Sequence, residues 1–211
     1  MRFALAFVLL AAAPPAFAQE PPPKIGPFVL DLHATVPRFP SDSAQLAESR
    51  NMQATELPGT GLGVQVGAHL YLFKWKAVTV GIGGEFASGR SSQTPPDSNT
   101  TGLRPATETF QTIAPQLSLN FGSGHGWSYI SGGIGQSTWS IVPAGSEPLP
   151  SDTDKMRTVN YGGGARWFAK PHLAFSFDVR VYQIDPGTPY FGYPGSPRTS
   201  LLVIGAGISV K

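Results

Sequence analysis

The chain has 211 residues, enough for one domain with a sizeable interior. Only 13% of the residues are charged, against the ~25% usual for soluble domains. The 15 Lys and Arg residues and 13 Asp and Glu residues leave a net charge of +2, which gives no electrostatic reason to expect a nucleic acid partner. The chain has no cysteine, and this excludes a disulfide framework, a thiolate metal site and a cysteine nucleophile.

The N-terminus has the pattern of an export signal. Arg2 supplies a positive charge, residues 3–13 form an apolar run too short to span a bilayer, and Ala16-Phe17-Ala18 matches the small-x-small cleavage pattern. We therefore predict a cleaved signal peptide over residues 1–18, a proline-rich leader over residues 19–26 and one β-domain over residues 27–211.

Eight segments alternate between apolar and polar residues with the period of a β-strand. They cover residues 28–36, 62–73, 78–86, 112–121, 127–141, 159–167, 173–182 and 202–210. Pro115 lies inside the fourth segment, where it removes one ladder hydrogen bond and indicates a β-bulge. The middle of the fifth segment, SGGIGQS, assigns neither of its faces to the inside.

The connections between these segments are alternately long and short. Residues 37–58, 89–105, 142–156 and 185–198 form long polar loops, the first with a helical piece near residues 43–54, whereas residues 74–76, 122–126 and 169–172 form short turns. Outer-membrane barrels place short turns in the periplasm and long loops outside the cell. The pattern predicts an all-β fold, a transmembrane antiparallel up-and-down β-barrel of about eight strands.

The two faces of the strands differ in character. One face carries Leu, Val, Ile and Phe, which we expect to contact lipid. The opposite face predicts a structural luminal polar network of Asp31, His33, Gln65, His69, Glu85, Gln116, Arg166, Asp178 and Arg180. Aromatic residues near the short turns predict an interfacial girdle of Trp75, Phe121, Trp127, Tyr129 and Trp167.

Strand register predicts which luminal residues meet. Pairing Phe73 with Ala77 would place Gln65 opposite Glu85. In the hairpin of residues 159–182, Asp178 should lie across from Gly162 or Gly164. If the partner is Gly164, Arg166 is the diagonal neighbour, so we expect Arg166, Asp178 and Arg180 to form one paired network, with Glu85 or Asp31 supplying the remaining negative charge. Asp152, by contrast, lies in a polar loop and should be exposed.

The hairpin Asn160–Tyr182 reads NYGGGARWFAKPHLAFSFDVRVY. It resembles the penultimate hairpin of the OmpA-type family of eight-stranded outer-membrane β-barrels, small porin-like proteins. The family usually ends on an aromatic residue, whereas this chain ends on Val210-Lys211. The resemblance implies an outer-membrane location and a monomer. It also implies outer-membrane lipid, lipopolysaccharide and the barrel-assembly machinery as partners.

Candidate catalytic groups are few. Ser123 with His125, or His33 and His69 with Glu85, would supply a serine, histidine and acid set for a lipid hydrolase. We expect His33 and His69 in the lumen and His125 in a turn, so no catalytic residue is assigned. The four histidines lack the HxH and HExxH spacings, so the sequence predicts no metal site and no cofactor.

The predicted function is that of a small, non-enzymatic integral outer-membrane barrel with a structural or surface-interaction role and a lumen filled by side chains. Tyr190, Phe191 and Tyr193 in the last long loop are candidate partner contacts, although packing within the loop is the favoured explanation. The alternatives are a narrow channel for small or apolar solutes, a lipid-modifying barrel enzyme, and a soluble periplasmic lipid-binding calyx with the two faces reversed.

Overall fold

The computed structural model describes residues 24–95, 102–192 and 194–211, and the predicted signal peptide lies outside them. Eight antiparallel strands follow one another around a closed barrel. They are β1 (Phe28–Arg38), β2 (Leu62–Trp75), β3 (Val78–Gln93), β4 (Ala106–Ser123), β5 (Gly126–Pro143), β6 (Met156–Lys170), β7 (Leu173–Ile184) and β8 (Thr199–Val210). The barrel closes where β1 pairs with β8, with Leu30 opposite Val210. The predicted eight-stranded up-and-down fold is confirmed.

The outer surface of the barrel is apolar. Along β1, every second residue from Phe28 to Val36 is exposed, and Asp31 and His33 between them are buried. Such a surface, carried around the barrel by exposed Leu, Val, Ile and Phe side chains, suits lipid rather than water. The calyx with reversed polarity is therefore wrong. Among the described residues, no helix is long and apolar enough to cross a membrane.

The hairpin of β2 and β3 is tighter than predicted. Trp75 pairs with Val78, and Lys76 between them has a left-handed backbone, φ 54°. A register irregularity at Tyr71 and Phe73 then shifts the ladder, so that Gln65 lies opposite Ala87. The predicted pairing of Gln65 with Glu85 was wrong because Phe73 pairs with Val80 and not with Ala77, so the register already differs at the turn. The bulge then changes it by one residue, and neither feature has a sign in the alternation pattern.

Pro115 interrupts a ladder without causing the predicted bulge. Between β4 and β5, pairing runs to Ile113 opposite Gln136 and resumes at Leu117 opposite Gly132, with the register unchanged. The side of β4 that pairs with β3 continues through Pro115, which lies opposite Gly84. Because proline has no backbone N–H, β4 loses ladder pairing at Pro115 on the side that faces β5 only.

The facing of β5 corrects the predicted aromatic girdle. Trp75 and Trp167 are 66% and 59% exposed, and Phe121 also points outward. Trp127 and Tyr129 instead point into the lumen, where they are 3% and 4% exposed. The alternation pattern could not assign these two residues to a face, because the odd-numbered positions that follow them in β5 include glycines. Glycine has no side chain that would distinguish the inward from the outward face.

The long-loop end of the barrel extends further than predicted. The loop was expected to begin at Gly89, but β3 continues to Gln93 and pairs there with Ala106 at the start of β4. Residues of this extension are polar on the outside, for example Ser92 and Thr107, which are joined by a hydroxyl hydrogen bond of 3.3 Å. The alternation of apolar and polar residues that identifies a strand is absent there, because these strand ends extend beyond the lipid-facing apolar band.

We expect Phe177→Arg to destabilise the barrel by about 2–4 kcal/mol, because Phe177 points outward from the middle of β7, where a guanidinium would lie in hydrocarbon. Ser200→Arg is the matched control, since Ser200 also points outward but lies at the long-loop end of β8, where the cost is about 0–1 kcal/mol. Urea unfolding in phospholipid vesicles measures both. Equal stability of the two variants would contradict an outward apolar band.

Candidate functional site

The barrel interior is the best-defined polar site of the molecule. All nine residues assigned to the lumen from the sequence are buried inside the barrel: Asp31, His33, Gln65, His69, Glu85, Gln116, Arg166, Asp178 and Arg180. They come from six of the eight strands, and alternation turns each of them inward. The site is a stack of layers running from the short-turn end to the long-loop end.

At the short-turn end the interior is filled by aromatic rings. Trp127 and Phe168 stack with centroids 5.0 Å apart, and Tyr71 meets Trp127 edge to face at 5.7 Å. The ammonium of Lys211 lies 3.8 Å from the Phe168 centroid, a cation–π geometry, and also contacts the Gly124 carbonyl. These groups lie inside the barrel below the charged layers.

The first charged layer is an arginine fork. Arg166 donates from Nε to Asp31 Oδ1 at 2.8 Å and from one terminal nitrogen to Asp31 Oδ2 at 2.6 Å. Its guanidinium also lies 3.9 Å from the centroid of the Tyr129 ring. Two parallel charge-assisted hydrogen bonds are the strongest geometry available to this pair of groups, so Asp31 holds Arg166 across the lumen.

This pairing corrects a prediction. Asp178 does lie opposite Gly164, one of the two expected partners. Arg166, however, pairs with Asp31 of β1 rather than with Asp178, its diagonal neighbour. Asp31 is 135 positions away in sequence, and only barrel closure brings it across the lumen, so local strand register could not reveal it.

The second charged layer centres on Arg180. Its Nε lies 2.9 Å from Glu85 Oε2, and a terminal nitrogen lies 3.1 Å from Asp178 Oδ2. Tyr129 donates its hydroxyl to Asp178 at 2.7 Å and Tyr182 donates to Glu85 at 2.6 Å. The carboxylates are thus held by hydroxyl donors as well as by the arginine, which buried charges require.

Neutral groups complete this layer. Gln65 donates to Glu85 at 2.8 Å, and Gln116 donates to Asn160 at 2.7 Å. His33 Nε2 lies 2.8 Å from Ser176 Oγ.

Sequence reasoning did not include six further residues of the network: Tyr129, Ser131, Asn160, Ser176, Tyr182 and Ser209. Asn160, Ser176 and Tyr182 share the polar faces of their strands with Arg166 and Asp178, and this was the available signal.

Above the charged layers, an apolar plug fills the long-loop end. The first long loop contains α1 (Ala44–Glu48), shorter than the predicted helical piece, and a turn of 3-10 helix (Ala54–Glu56). Its buried side chains pack against inward residues of the strands. The plug comprises Phe39, Leu46, Ala47, Leu57, Ala87, Phe110, Trp139, Ile141, Met156, Tyr182, Ile184, Leu201 and Val203. The first long loop, which was predicted to be a loop because its sequence is polar, therefore supplies several of the buried apolar residues of the plug.

A buried ion pair fastens the plug. Arg50 of the first loop donates from Nε to Asp152 of the third loop at 2.9 Å, and from a terminal nitrogen to Ser196 of the fourth loop at 2.9 Å. Asp152 also accepts from the backbone N–H of Ile141. The prediction that Asp152 is exposed was wrong, because a loop charge can be buried when another loop supplies its partner.

Glu56 ties the first loop to the second. Its carboxylate accepts from the backbone N–H of Gln53 at 2.7 Å and from that of Arg104 at 2.8 Å. Burial by itself raises the pKa of Glu56, but these donors and the Arg104 guanidinium outweigh it and hold the pKa below its usual value. Their stabilisation is present above the ordinary glutamate pKa and is lost as the pH falls through the lowered one.

The candidate catalytic sets are not assembled. Ser123 Oγ accepts the backbone N–H of His125 at 3.4 Å, and among the described residues no hydrogen bond joins it to the His125 imidazole. Within the described part of the chain, Glu85 is bound by Arg180, Gln65 and Tyr182, and neither His33 nor His69 is among its hydrogen-bond partners. The described residues also contain no group of three or more acidic or histidine side chains that could hold a metal ion.

An apolar exterior, a closed antiparallel ladder and a charged, filled interior define an integral outer-membrane β-barrel protein. The family model described as outer membrane protein beta-barrel domain matches residues 3–209. The chain belongs to this family and is an outer-membrane protein. Comparison with curated proteins gives no significant match.

Solved structures of other small barrels share the fold. Neisserial surface protein A is 12% identical, with a TM-score of 0.57 over 88% of this chain and 97% of its own. Ail, the attachment invasion locus protein of Yersinia pestis, solved with the heparin analogue sucrose octasulfate, is 12% identical, with a TM-score of 0.52 over 86% and 97%. OprG from Pseudomonas aeruginosa is 9% identical, with a TM-score of 0.51 over 89% and 97%.

The two arginine layers predict different couplings. Asp31→Ala and Arg166→Ala should each destabilise the barrel by about 3–5 kcal/mol, because each leaves one buried charge without its partner. The double variant should cost clearly less than the sum of the single variants. Urea unfolding in phospholipid vesicles measures the cycle.

Arg166→Ala combined with Asp178→Ala is the control cycle. Among the described residues Arg166 and Asp178 share no hydrogen bond or ion pair, although both contact Tyr129, so their effects should nearly add. Additive effects for Asp31 and Arg166, with strong coupling between Arg166 and Asp178, would contradict the observed pairing.

Proposed function

We propose that this protein is a non-enzymatic outer-membrane barrel whose lumen is closed by side chains and whose long loops, outside the cell, carry a structural or surface-interaction role. The observation that carries the proposal is the series of buried side-chain contacts along the interior. An aromatic layer, two arginine layers and an apolar plug follow one another from the short-turn end to the long-loop end.

The closure involves charges that cannot easily move aside. Arg166 and Arg180 are both about 2% exposed, and each has carboxylate partners from another strand. Opening a path past either arginine would separate it from its buried partner. Removing one partner of such a pair costs about 3–5 kcal/mol, and this indicates the scale of the barrier. An eight-stranded barrel also has an interior only wide enough for side chains to fill. These points support a closed lumen over a narrow channel.

The long loops offer a shaped surface for interaction. Arg50 binds partners in the third and fourth loops, and Glu56 binds Arg104 of the second, so all four loops are joined. At the tip of the fourth loop, Phe191 is largely exposed and meets Tyr190 edge to face at 4.7 Å. Tyr193 lies outside the described residues. A joined loop layer presents its exposed side chains at small entropic cost on binding.

The same proposal covers the partners expected from the sequence. A monomer suffices, since β1 and β8 pair within one chain and the described ladder has no open edge. Outer-membrane lipid and lipopolysaccharide surround the apolar exterior, and the barrel-assembly machinery inserts the chain. The absence of an assembled serine, histidine and acid set among the described residues supports a non-enzymatic role over a lipid-modifying enzyme.

Planar-bilayer recording tests the closed lumen. We expect the refolded wild-type protein to give no stepwise ion current under conditions in which an open general porin, reconstituted in the same membrane, conducts. Insertion is verified independently by the change in gel mobility between the folded and heated forms. Reproducible current steps from the wild-type protein would contradict the proposal and favour the narrow channel.

A further inference from the structure

The charged residues on the outward face of the described strands are all basic. At the long-loop end, Arg38 of β1, Arg90 of β3 and Arg157 of β6 point outward and are exposed. Over the described strands, no outward-facing position carries an acidic residue, because Asp31, Glu85, Glu108 and Asp178 all point inward. The barrel therefore has a cationic border above its apolar band.

Two of these arginines lie close together. Arg38 forms a bridge with Thr60, and Leu62, two residues further on, pairs with Arg90. The two arginines therefore flank the start of β2 on either side. Since neighbouring strands are about 4.8 Å apart, their backbones are separated by about 10 Å across the sheet.

Arg38 and Arg90 have no anionic partner among the described residues. The same is true of Arg157, whereas Arg50 pairs with Asp152, Arg104 with Glu56 and Arg198 with Asp185. Among the residues that the structure describes, Arg38 and Arg90 take part in no ion pair, although both lie where the barrel leaves hydrocarbon. Two free guanidinium groups at this depth leave a concentrated positive charge facing the outer leaflet.

The surface directly below this pair is apolar. Leu62 is 75% exposed between the two arginines, and Val64 of β2, Val36 of β1 and Phe86 of β3 are also exposed. A ligand that fills this surface must present acyl chains to the aliphatic side chains and an anionic head group to the guanidinium groups. Phosphate suits the guanidinium best, because its oxygens accept two parallel N–H donors.

We propose that Arg38 and Arg90 form a binding site for the phosphorylated head group of an outer-leaflet lipid, whose acyl chains lie on Leu62, Val64 and Phe86. The long aliphatic stems of the arginines extend along the apolar surface and place their charges at head-group level. This site rests on the proposed orientation, in which the long loops are outside the cell.

Lipid binding by a charge-neutral double variant tests the site. Arg38→Gln with Arg90→Gln is compared with wild type and with Lys76→Gln with Lys170→Gln, which removes exposed charges at the short-turn end. Each protein, folded in neutral detergent, is titrated with diphosphorylated lipid A, and the shift of its thermal unfolding midpoint is followed by gel mobility. We expect the arginine variant to need at least tenfold more lipid than wild type, and the lysine variant to stay within twofold.

Two further ligands identify what is recognised. Dephosphorylated lipid A should bind wild type as weakly as it binds the arginine variant, and pyrophosphate at matched concentration should not raise the midpoint. An undiminished response of the arginine variant, or full binding of the dephosphorylated lipid, would overturn the site. Stabilisation by pyrophosphate alone would show a free-phosphate site instead. Loss of binding only in the lysine variant would overturn the orientation, and bilayer conductance tests the closed lumen separately.

Discussion

The interior of this barrel depends on keeping two arginines neutralised away from water. The apolar faces of all eight strands point to lipid, so the remaining faces must enclose polar side chains in a narrow space. A buried guanidinium is tolerable only with well-placed acceptors, and Asp31, Asp178 and Glu85 provide them. Replacing a buried ion pair by well-packed apolar residues is often neutral or stabilising, so the network is better understood as fixing one arrangement of the strands than as a source of stability.

The same requirement explains the long-loop end. Once the charged layers stop, the lumen is lined by Phe110, Trp139, Ile141 and Leu201, which would otherwise be open to water. The first loop covers them with Leu46 and Leu57, and Arg50 holds the loop in place through Asp152 and Ser196. The proposed closure of the lumen and the ordering of the loop surface therefore depend on the same contacts, which connect the packing of the barrel to its proposed surface role.

Much of this could be predicted from the sequence, and the remainder shows what a single strand cannot reveal. Period-two alternation in β1 and β7 was enough to assign Asp31, His33, Asp178 and Arg180 to the interior. Partners across the lumen, such as Asp31 for Arg166, depend on barrel closure. The inward orientation of Trp127 could not be predicted because glycines interrupt the alternation in β5. The burial of Asp152 depends on Arg50 in another loop, whose polar composition gives no sign of this contact. For Asp31 and Asp152 the deciding contact is distant in sequence.

Accessibility of luminal positions to a water-soluble thiol reagent is the most direct measurement of the closed lumen. The chain has no cysteine, so Ser131→Cys, Ser176→Cys and the exposed loop control Ser146→Cys each introduce a single reactive group with little change in volume. In the folded protein in lipid, the account predicts rapid labelling of the Ser146→Cys variant by a charged methanethiosulfonate. It also predicts protection of the other two variants until the barrel is unfolded. Labelling of the Ser131→Cys and Ser176→Cys variants at the rate of the loop control would show a water-filled lumen and contradict it.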